Sequence, residues 1–206
     1  MTKRGIFISF EGGEGCGKST QIARLGQALR EARREVVLTR EPGGTAVGEQ
    51  IRHVLQYSKE SSRMTPEAEL LLFAASRAQL VREVIQPALA AGRVVLSDRF
   101  LDSTTVYQGA ARRIPAETVA GINQFAIAGL LPDATLVFDL DVAVGRARMR
   151  ARAGAPAHDR MENEPVEFYE AVRAGYRELA RSQPERLILL DAARSPDEVY
   201  AELISR

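Results

Sequence analysis

The chain has one cysteine and no tryptophan among its 206 residues. A lone Cys16 excludes an intramolecular disulfide. An excess of one charge is also missing: 28 basic and 27 acidic side chains leave a net charge of +1. That balance argues against a long nucleic-acid footprint, which would show as a basic surplus. No apolar run approaches the ~18 residues of a membrane span. The opening MTKRGIFISFEGG holds too short an apolar stretch for a signal peptide. Repeats and Pro-, Gly- or Ser-rich linkers are lacking as well. The two histidines, His53 and His158, have no metal-ligand spacing. These absences leave the expectation of a cytoplasmic globular protein without nucleic-acid or membrane partners, built as one domain over residues 1–206.

What is present is alternation. Five apolar, β-branched-rich runs, at 6–10, 36–39, 94–97, 135–140 and 187–190, read as strands buried on both faces of a parallel sheet. Helical patterns lie between them at 18–33, 66–91, 115–130, 142–153, 165–181 and 196–204. Strand–helix alternation predicts a doubly wound, five-stranded α/β fold. The arginine-rich stretch GRARMRARAG, with the island 154–158, reads as a mobile lid spanning about 146–164.

Between the first strand and first helix lies Gly12-Gly13-Glu14-Gly15-Cys16-Gly17-Lys18-Ser19, a match to G-x-x-x-x-G-K-[ST]. Its glycines let successive backbone N–H groups form an anion nest, and the helix N-terminus adds positive potential. Lys18 is placed to reach β- and γ-phosphates, and the Ser19 hydroxyl to ligate Mg²⁺. Cys16 reads as a small filler residue. The motif predicts binding of a nucleoside triphosphate but leaves the phosphoryl acceptor open. A regulatory GTPase would need N-K-x-D to read guanine, and the sequence has none.

Three more stretches narrow the choice. Thr39-Arg40-Glu41-Pro42-Gly43-Gly44-Thr45 follows the second strand, Asp98-Arg99-Phe100-Leu101-Asp102-Ser103-Thr104-Thr105-Val106-Tyr107-Gln108-Gly109 the third, and Asp159-Arg160-Met161-Glu162 the lid. Asp98 stands where a strand-end acid can hold Mg²⁺ through water, or cap a helix. Arg99 suits bidentate phosphate recognition, or a surface ion pair. Phe73 and Arg77 share a helix face, as do Ser103 and Tyr107. Read alone, Phe73 and Tyr107 fit packing roles, Thr104 a core or capping role, and Arg52 a solvated helix face.

Together with Phe-Glu-Gly-Gly-Glu-Gly at 10–15, these stretches resemble bacterial thymidylate kinases over nearly the whole chain. The resemblance implies a P-loop nucleoside monophosphate kinase that transfers phosphoryl from ATP to dTMP with Mg²⁺, as a homodimer. For dTMP it implies Glu14 at the sugar 3′-OH, Arg52 and Arg99 at phosphate, and Phe73 stacked on thymine. It further implies Arg77 at the base edge, Ser103 and Tyr107 beside base and sugar, Thr104 and Gln108 at base or phosphate, Glu41 supporting the arginines, and Glu162 near the sugar. For ATP it implies Gly12, Gly13, Glu14, Gly15, Cys16, Gly17, Lys18, Ser19 and Thr20, with Arg146 and Arg194 outside the loop. Arg194 can equally be a neighbour of a helix cap at Ser195. Some relatives carry a catalytic arginine inside the P-loop, at the position held here by Gly15. The catalytic charge is therefore expected from the lid, from Arg152 first, then Arg148 and Arg150, alongside Lys18, Arg99 and Glu14. A solvated basic helix is the plainer reading of those arginines. A kinase of another nucleoside monophosphate or of a deoxynucleoside, and a non-catalytic P-loop switch, stay open as alternatives.

Overall fold

A computed structural model describes residues 4–151 and 160–206, with the side chains of residues 162 and 163 also outside the described set. The five strands are β1 (Ile6–Gly12), β2 (Val36–Arg40), β3 (Val94–Asp98), β4 (Ala134–Asp139) and β5 (Leu187–Asp191). They form one sheet in the order β2-β3-β1-β4-β5, and every pairing is parallel. Parallel neighbours need crossovers, and the helices supply them on both faces.

Side-chain alternation divides the core. Phe10, Leu96, Leu136, Phe138 and Leu190 pack with Ile22 of α1 (Lys18–Glu31) and with Val199 and Leu203 of α9 (Pro196–Ser205). The opposite face sends Phe7 and Val95 against Leu80 of α3 (Pro66–Leu80), Leu89 of α4 (Gln86–Ala90) and Ile127 of α6 (Ala116–Ile127). On that same face Val137 and Leu187 meet Val172 and Tyr176 of α8 (Val166–Ser182). Burial of these runs on both faces explains why they lack polar alternation.

The helix expected at 66–91 is one rod with a wider π-helical stretch at Val81–Ile85 between α3 and α4. Pro87 lies just beyond it. A proline ring clashes with the carbonyl four residues back, and a widened turn relieves that contact. The helix expected at 18–33 stops at Glu31, with Arg33 left-handed at φ 58°. The one expected to reach residue 130 stops at Ile127, with Ala128 left-handed at φ 50°. Two further helical segments complete the site: α2 (Ala46–Gln56), and α5 (Leu101–Thr104), which runs into a π-helical stretch at Thr105–Ala111. The basic helix α7 (Val142–Arg150) stops being described past residue 151, so Arg152 and the island 154–158 lie outside the described residues.

Candidate active site

The C-terminal ends of β1, β2 and β3 converge on a cleft of about 330 Å³. This is where an open parallel sheet places ligands, at the point where strand order reverses from the central strand. The P-loop, running from the end of β1 into α1, forms one side: Glu14, Gly15, Cys16, Gly17, Lys18 and Ser19 all line the cleft. Gly12, Gly15 and Gly17 adopt positive φ (134°, 70° and 92°), as a backbone folding around an anion requires. Lys18 is buried, and its Nζ donates to the Gly12 and Gly13 carbonyls at 3.2 and 2.9 Å. Cys16 is buried too and donates to the Gly13 carbonyl at 3.0 Å, a filler with a local bond. Thr20 is exposed on the first turn of α1 and does not line the cleft.

Ser19 Oγ donates to Asp98 Oδ2 at 3.2 Å. One hydroxyl and one carboxylate at a phosphate-binding loop form a hard-oxygen donor pair of the kind Mg²⁺ takes, with water and phosphate oxygens filling its octahedron. Among the described residues no group of three His, Cys, Asp or Glu gathers as a metal cage.

Arg99 bridges the two sides of the cleft. Its Nη1 donates to the Gly12 carbonyl at 3.0 Å and to Ser103 Oγ at 3.2 Å, its Nη2 pairs with Glu14, and the guanidinium lies 5.1 Å from the centre of the Tyr107 ring. The turn carrying it is held by Glu11, a fully buried carboxylate that sequence reasoning missed. Glu11 accepts from Phe100 N at 2.7 Å, Ser103 Oγ at 2.6 Å and Tyr176 Oη at 2.7 Å. Burial pushes the Glu11 carboxyl above its ordinary range, Asp102 adds to the rise, and Arg99 with the hydroxyl donors opposes it. An acid in a strand otherwise buried on both faces was the available signal.

The far wall joins α2, α3 and the segment after β3. Phe73, Ser103, Thr104, Tyr107 and Gln108 line it, with Arg52 and Gln56 from α2. Phe73 is half-buried and faces the cleft, where its helical position alone suggested core. Arg52 donates to the Pro42 carbonyl at 3.0 Å. Two buried polar atoms in this wall, Tyr107 Oη and Gln56 Oε1, have no hydrogen-bond partner among the described residues. Such atoms are costly unless something pairs with them, and Gln21 Oε1 and Thr39 Oγ1, outside the wall, are in the same position.

Arg77 departs from the expected place at the base edge. It is 1% exposed and lies behind the wall. Its Nε and Nη2 donate to Glu41 at 2.9 and 2.5 Å, Nη1 to Asn123 Oδ1 at 2.7 Å, and Nη2 to Thr104 Oγ1 at 2.9 Å. The reason is physical: a guanidinium facing an apolar interior needs its donors paired. Glu41, buried with it, is pushed up to about 7 by that burial, with Arg77 opposing.

Glu69 is the second residue missed. Buried on α3, it accepts from Gln108 Nε2 at 2.7 Å, from Arg112 Nε and Nη2 at 3.2 and 3.1 Å, and from Arg160 Nη2. Burial alone would raise its pKa, but the hydrogen bonds from Arg112, Arg160 and Gln108 outweigh it and hold the carboxyl below its ordinary value. Glu69 stands four residues before Phe73 and eight before Arg77, on one helical face, and that spacing was the legible clue.

The remaining basic residues lie to the side. Arg148 donates to the Ala192 carbonyl at 3.1 Å in the loop after β5, and Arg150 is exposed. Arg146, expected in the ATP site, sits 5.9 Å from the centre of the Tyr169 ring and lines a neighbouring cleft with Met149 and Arg173. Arg194 pairs with Glu202 at 3.0 Å on α9, whose N-terminus Ser195 caps together with Glu198, so the cap reading of this stretch is realised. The backbone of Glu162 belongs to the short turn Arg160–Asn163, and its side chain, like Arg152, is outside the described set.

A parallel sheet of this order, a P-loop at the end of its central strand, an acid at the end of β3 and an arginine-rich cleft beyond define a P-loop nucleoside monophosphate kinase. Comparison with known proteins carries this to a family. The Thymidylate kinase family profile matches residues 10–203. A thymidylate kinase of Pelobacter propionicus is 46% identical over 205 residues, covering 98% of this chain and 93% of that one. One of Geobacter sulfurreducens is 50% identical, covering 91% and 89%. The crystal structure of thymidylate kinase from Ehrlichia chaffeensis superposes with a TM-score of 0.78 at 32% identity, covering 98% of both chains. The chain belongs to the thymidylate kinase family.

Proposed function

We infer that the protein transfers the γ-phosphoryl group of ATP to dTMP, giving dTDP and ADP on the way to dTTP. The observation that carries this reading is a single cleft running from Lys18 and Ser19 to the wall of Phe73, Tyr107 and Gln108, with Arg52 and Arg99 between. A triphosphate fits one end, a pyrimidine the other, and phosphate-binding guanidinium groups lie where the two meet. A phosphate oxygen of dTMP attacks the γ-phosphorus, and the bond from that phosphorus to the bridging oxygen breaks to release ADP. Catalysis of such a loose transition state is mostly positioning and electrostatics.

In this reading the P-loop amides and Lys18 hold the β- and γ-phosphates. Ser19 and Asp98 hold Mg²⁺, which when bound neutralises charge on the β- and γ-oxygens. Arg99 contacts the phosphates between which transfer occurs, and Arg52 grips the monophosphate. Glu14 orients the acceptor sugar and Phe73 stacks on thymine, a contact of about 1–3 kcal/mol. Arg77 acts through Glu41 and Thr104, which line the cleft in front of it.

The lid, about 146–164, supplies the catalytic arginine, with Arg152 first and then Arg148 and Arg150. Its closure excludes water and suppresses ATP hydrolysis. Support comes from Gly15. A Cβ there would collide with the Gly145 carbonyl of α7, and φ is +70°, so the P-loop of this chain has no room for an arginine at that position. Arg152→Ala is expected to lower kcat by at least ~100-fold while dTMP binding weakens little. Direct titration of dTMP beside single-turnover kinetics reads the two separately, and an unchanged kcat places the role elsewhere.

The reading also includes a homodimer and a cytoplasmic location. Exposed apolar side chains on α2 (Val47, Val54), α3 (Leu71) and α6 (Phe125) support the dimer, because these helices pack side by side and surface apolar clusters mark interfaces. Sedimentation velocity at micromolar concentration tests it; a single monomer mass contradicts it. Among the described residues no helix is long and apolar enough to cross a membrane. Appearance of dTDP and ADP in equal amounts from ATP and dTMP, followed by ³¹P NMR, tests the reaction itself.

A further inference from the structure

The buried carboxylate of Glu69 serves no phosphate and lies behind the wall of the cleft, yet it grips Gln108, whose side chain lines that wall. An ionised carboxylate only accepts hydrogen bonds. The Gln108 group facing Glu69 must therefore be the amide NH₂, which donates to Glu69 Oε1 at 2.7 Å. The other end of the amide is then the carbonyl, and this is the one side-chain hydrogen bond Gln108 makes among the described residues. Arg112 and Arg160 hold Glu69 from the other side, so the carboxylate has no freedom to turn away.

We propose that Glu69 is a specificity-determining residue: by fixing the sense of the Gln108 amide it presents a carbonyl acceptor to the base, selecting pyrimidines with a ring N3–H over cytosine. The inference rests on the reading of this wall as the acceptor-base site. Thymine and uracil carry a donor at N3, where cytosine carries a lone pair. A carbonyl locked toward that edge pairs with the first and repels the second. A freely rotating amide would serve either base by flipping.

Glu69→Gln tests this, because the shape is kept and the acceptor-only character is lost. Two guanidinium donors, from Arg112 Nη2 and Arg160 Nη2, converge on Oε2. The new amide will turn its oxygen to them and its NH₂ toward Gln108, giving up the longer Arg112 Nε contact at 3.2 Å. Gln108 then flips to accept and offers NH₂ to the base. The ratio of kcat/KM for dTMP over dCMP is expected to fall about tenfold or more. Gln108→Met, which removes the amide but leaves the Glu69–Arg112–Arg160 cluster, should lower the ratio similarly, and adding Glu69→Gln to it should lower the ratio no further.

A purely structural Glu69 would depress both substrates alike, and a ratio within twofold of wild type in Glu69→Gln overturns the proposal. Should that variant not fold, an unchanged ratio in Gln108→Met overturns it equally. If wild type fails to turn over dTMP at all, the reading of the acceptor falls. If wild type prefers dTMP and the variants keep that preference, only this inference falls.

Discussion

Arg77 and Glu41 join α3 to the loop after β2 as a buried ion pair, with side chains 1% and 3% exposed. Removing Arg77 leaves a buried carboxylate that must either stay charged without compensation or take up a proton, and leaves Asn123 and Thr104 without their donor. Arg77→Met is accordingly expected to lower unfolding free energy by about 3–5 kcal/mol, as measured by urea denaturation; a loss within a few tenths of a kcal/mol would contradict the buried pair. Glu41 also gives the fold a pH dependence. Its folded pKa of about 7 lies above the ordinary 4.5, so the folded state holds the proton more tightly than the unfolded chain. The stability this contributes is fully present below pH ~4.5 and is lost as pH rises through about 7. Comparing melting temperatures of wild type and Glu41→Gln between about pH 5 and 8 should show the wild type losing ground as pH rises. A constant difference would contradict the shift. At this scale the sequence was legible where a motif names its residue, as with Lys18, Ser19 and Asp98. It was opaque at Glu11 and Glu69, whose importance lies in what folds against them: Phe100 N, Ser103 and Tyr176 for one, Gln108, Arg112 and Arg160 for the other.

The elements divide in the same way. All five strands could be read, because burial on both faces demands continuous β-branched runs. The π-helical stretches could not, because a widened turn answers to tertiary fit at Pro87 and around Tyr107 and leaves no mark in apolar periodicity. One contact between elements matters most for the lid. The α7 helix rests on the P-loop through facing glycines: a Cβ at Gly145 would approach the Glu14 carbonyl oxygen to 2.6 Å, and one at Gly15 would collide with Gly145. The helix carrying Arg146, Arg148 and Arg150 is thereby seated on the P-loop. Gly145→Val should lift it away, and a shift of about 1 Å can cost on the order of a hundredfold in kcat. Gly15→Arg should impair turnover for the same reason instead of supplying a catalytic charge. Steady-state kinetics checks both, and wild-type kcat in Gly15→Arg would contradict the account of this contact.

The whole molecule brings a triphosphate site and an acceptor site onto one sheet edge, where the ends of β1, β2 and β3 meet. Its class, a doubly wound five-stranded parallel sheet, was legible from alternation; the strand order β2-β3-β1-β4-β5, the depth of the cleft and the placement of Arg77 behind its wall were not, since they depend on how distant elements pack, α2 against α3 among them. The function rests on this cleft pairing ATP with dTMP. Steady-state rates with ATP and each of dTMP, dUMP, UMP, CMP, AMP and thymidine test it most directly. The highest kcat/KM is expected for dTMP, with weak turnover of the ribonucleotides and none of thymidine, which lacks the attacking phosphate. No dTMP-dependent turnover above background ATP hydrolysis, or a higher kcat/KM for any of the other acceptors, would contradict it.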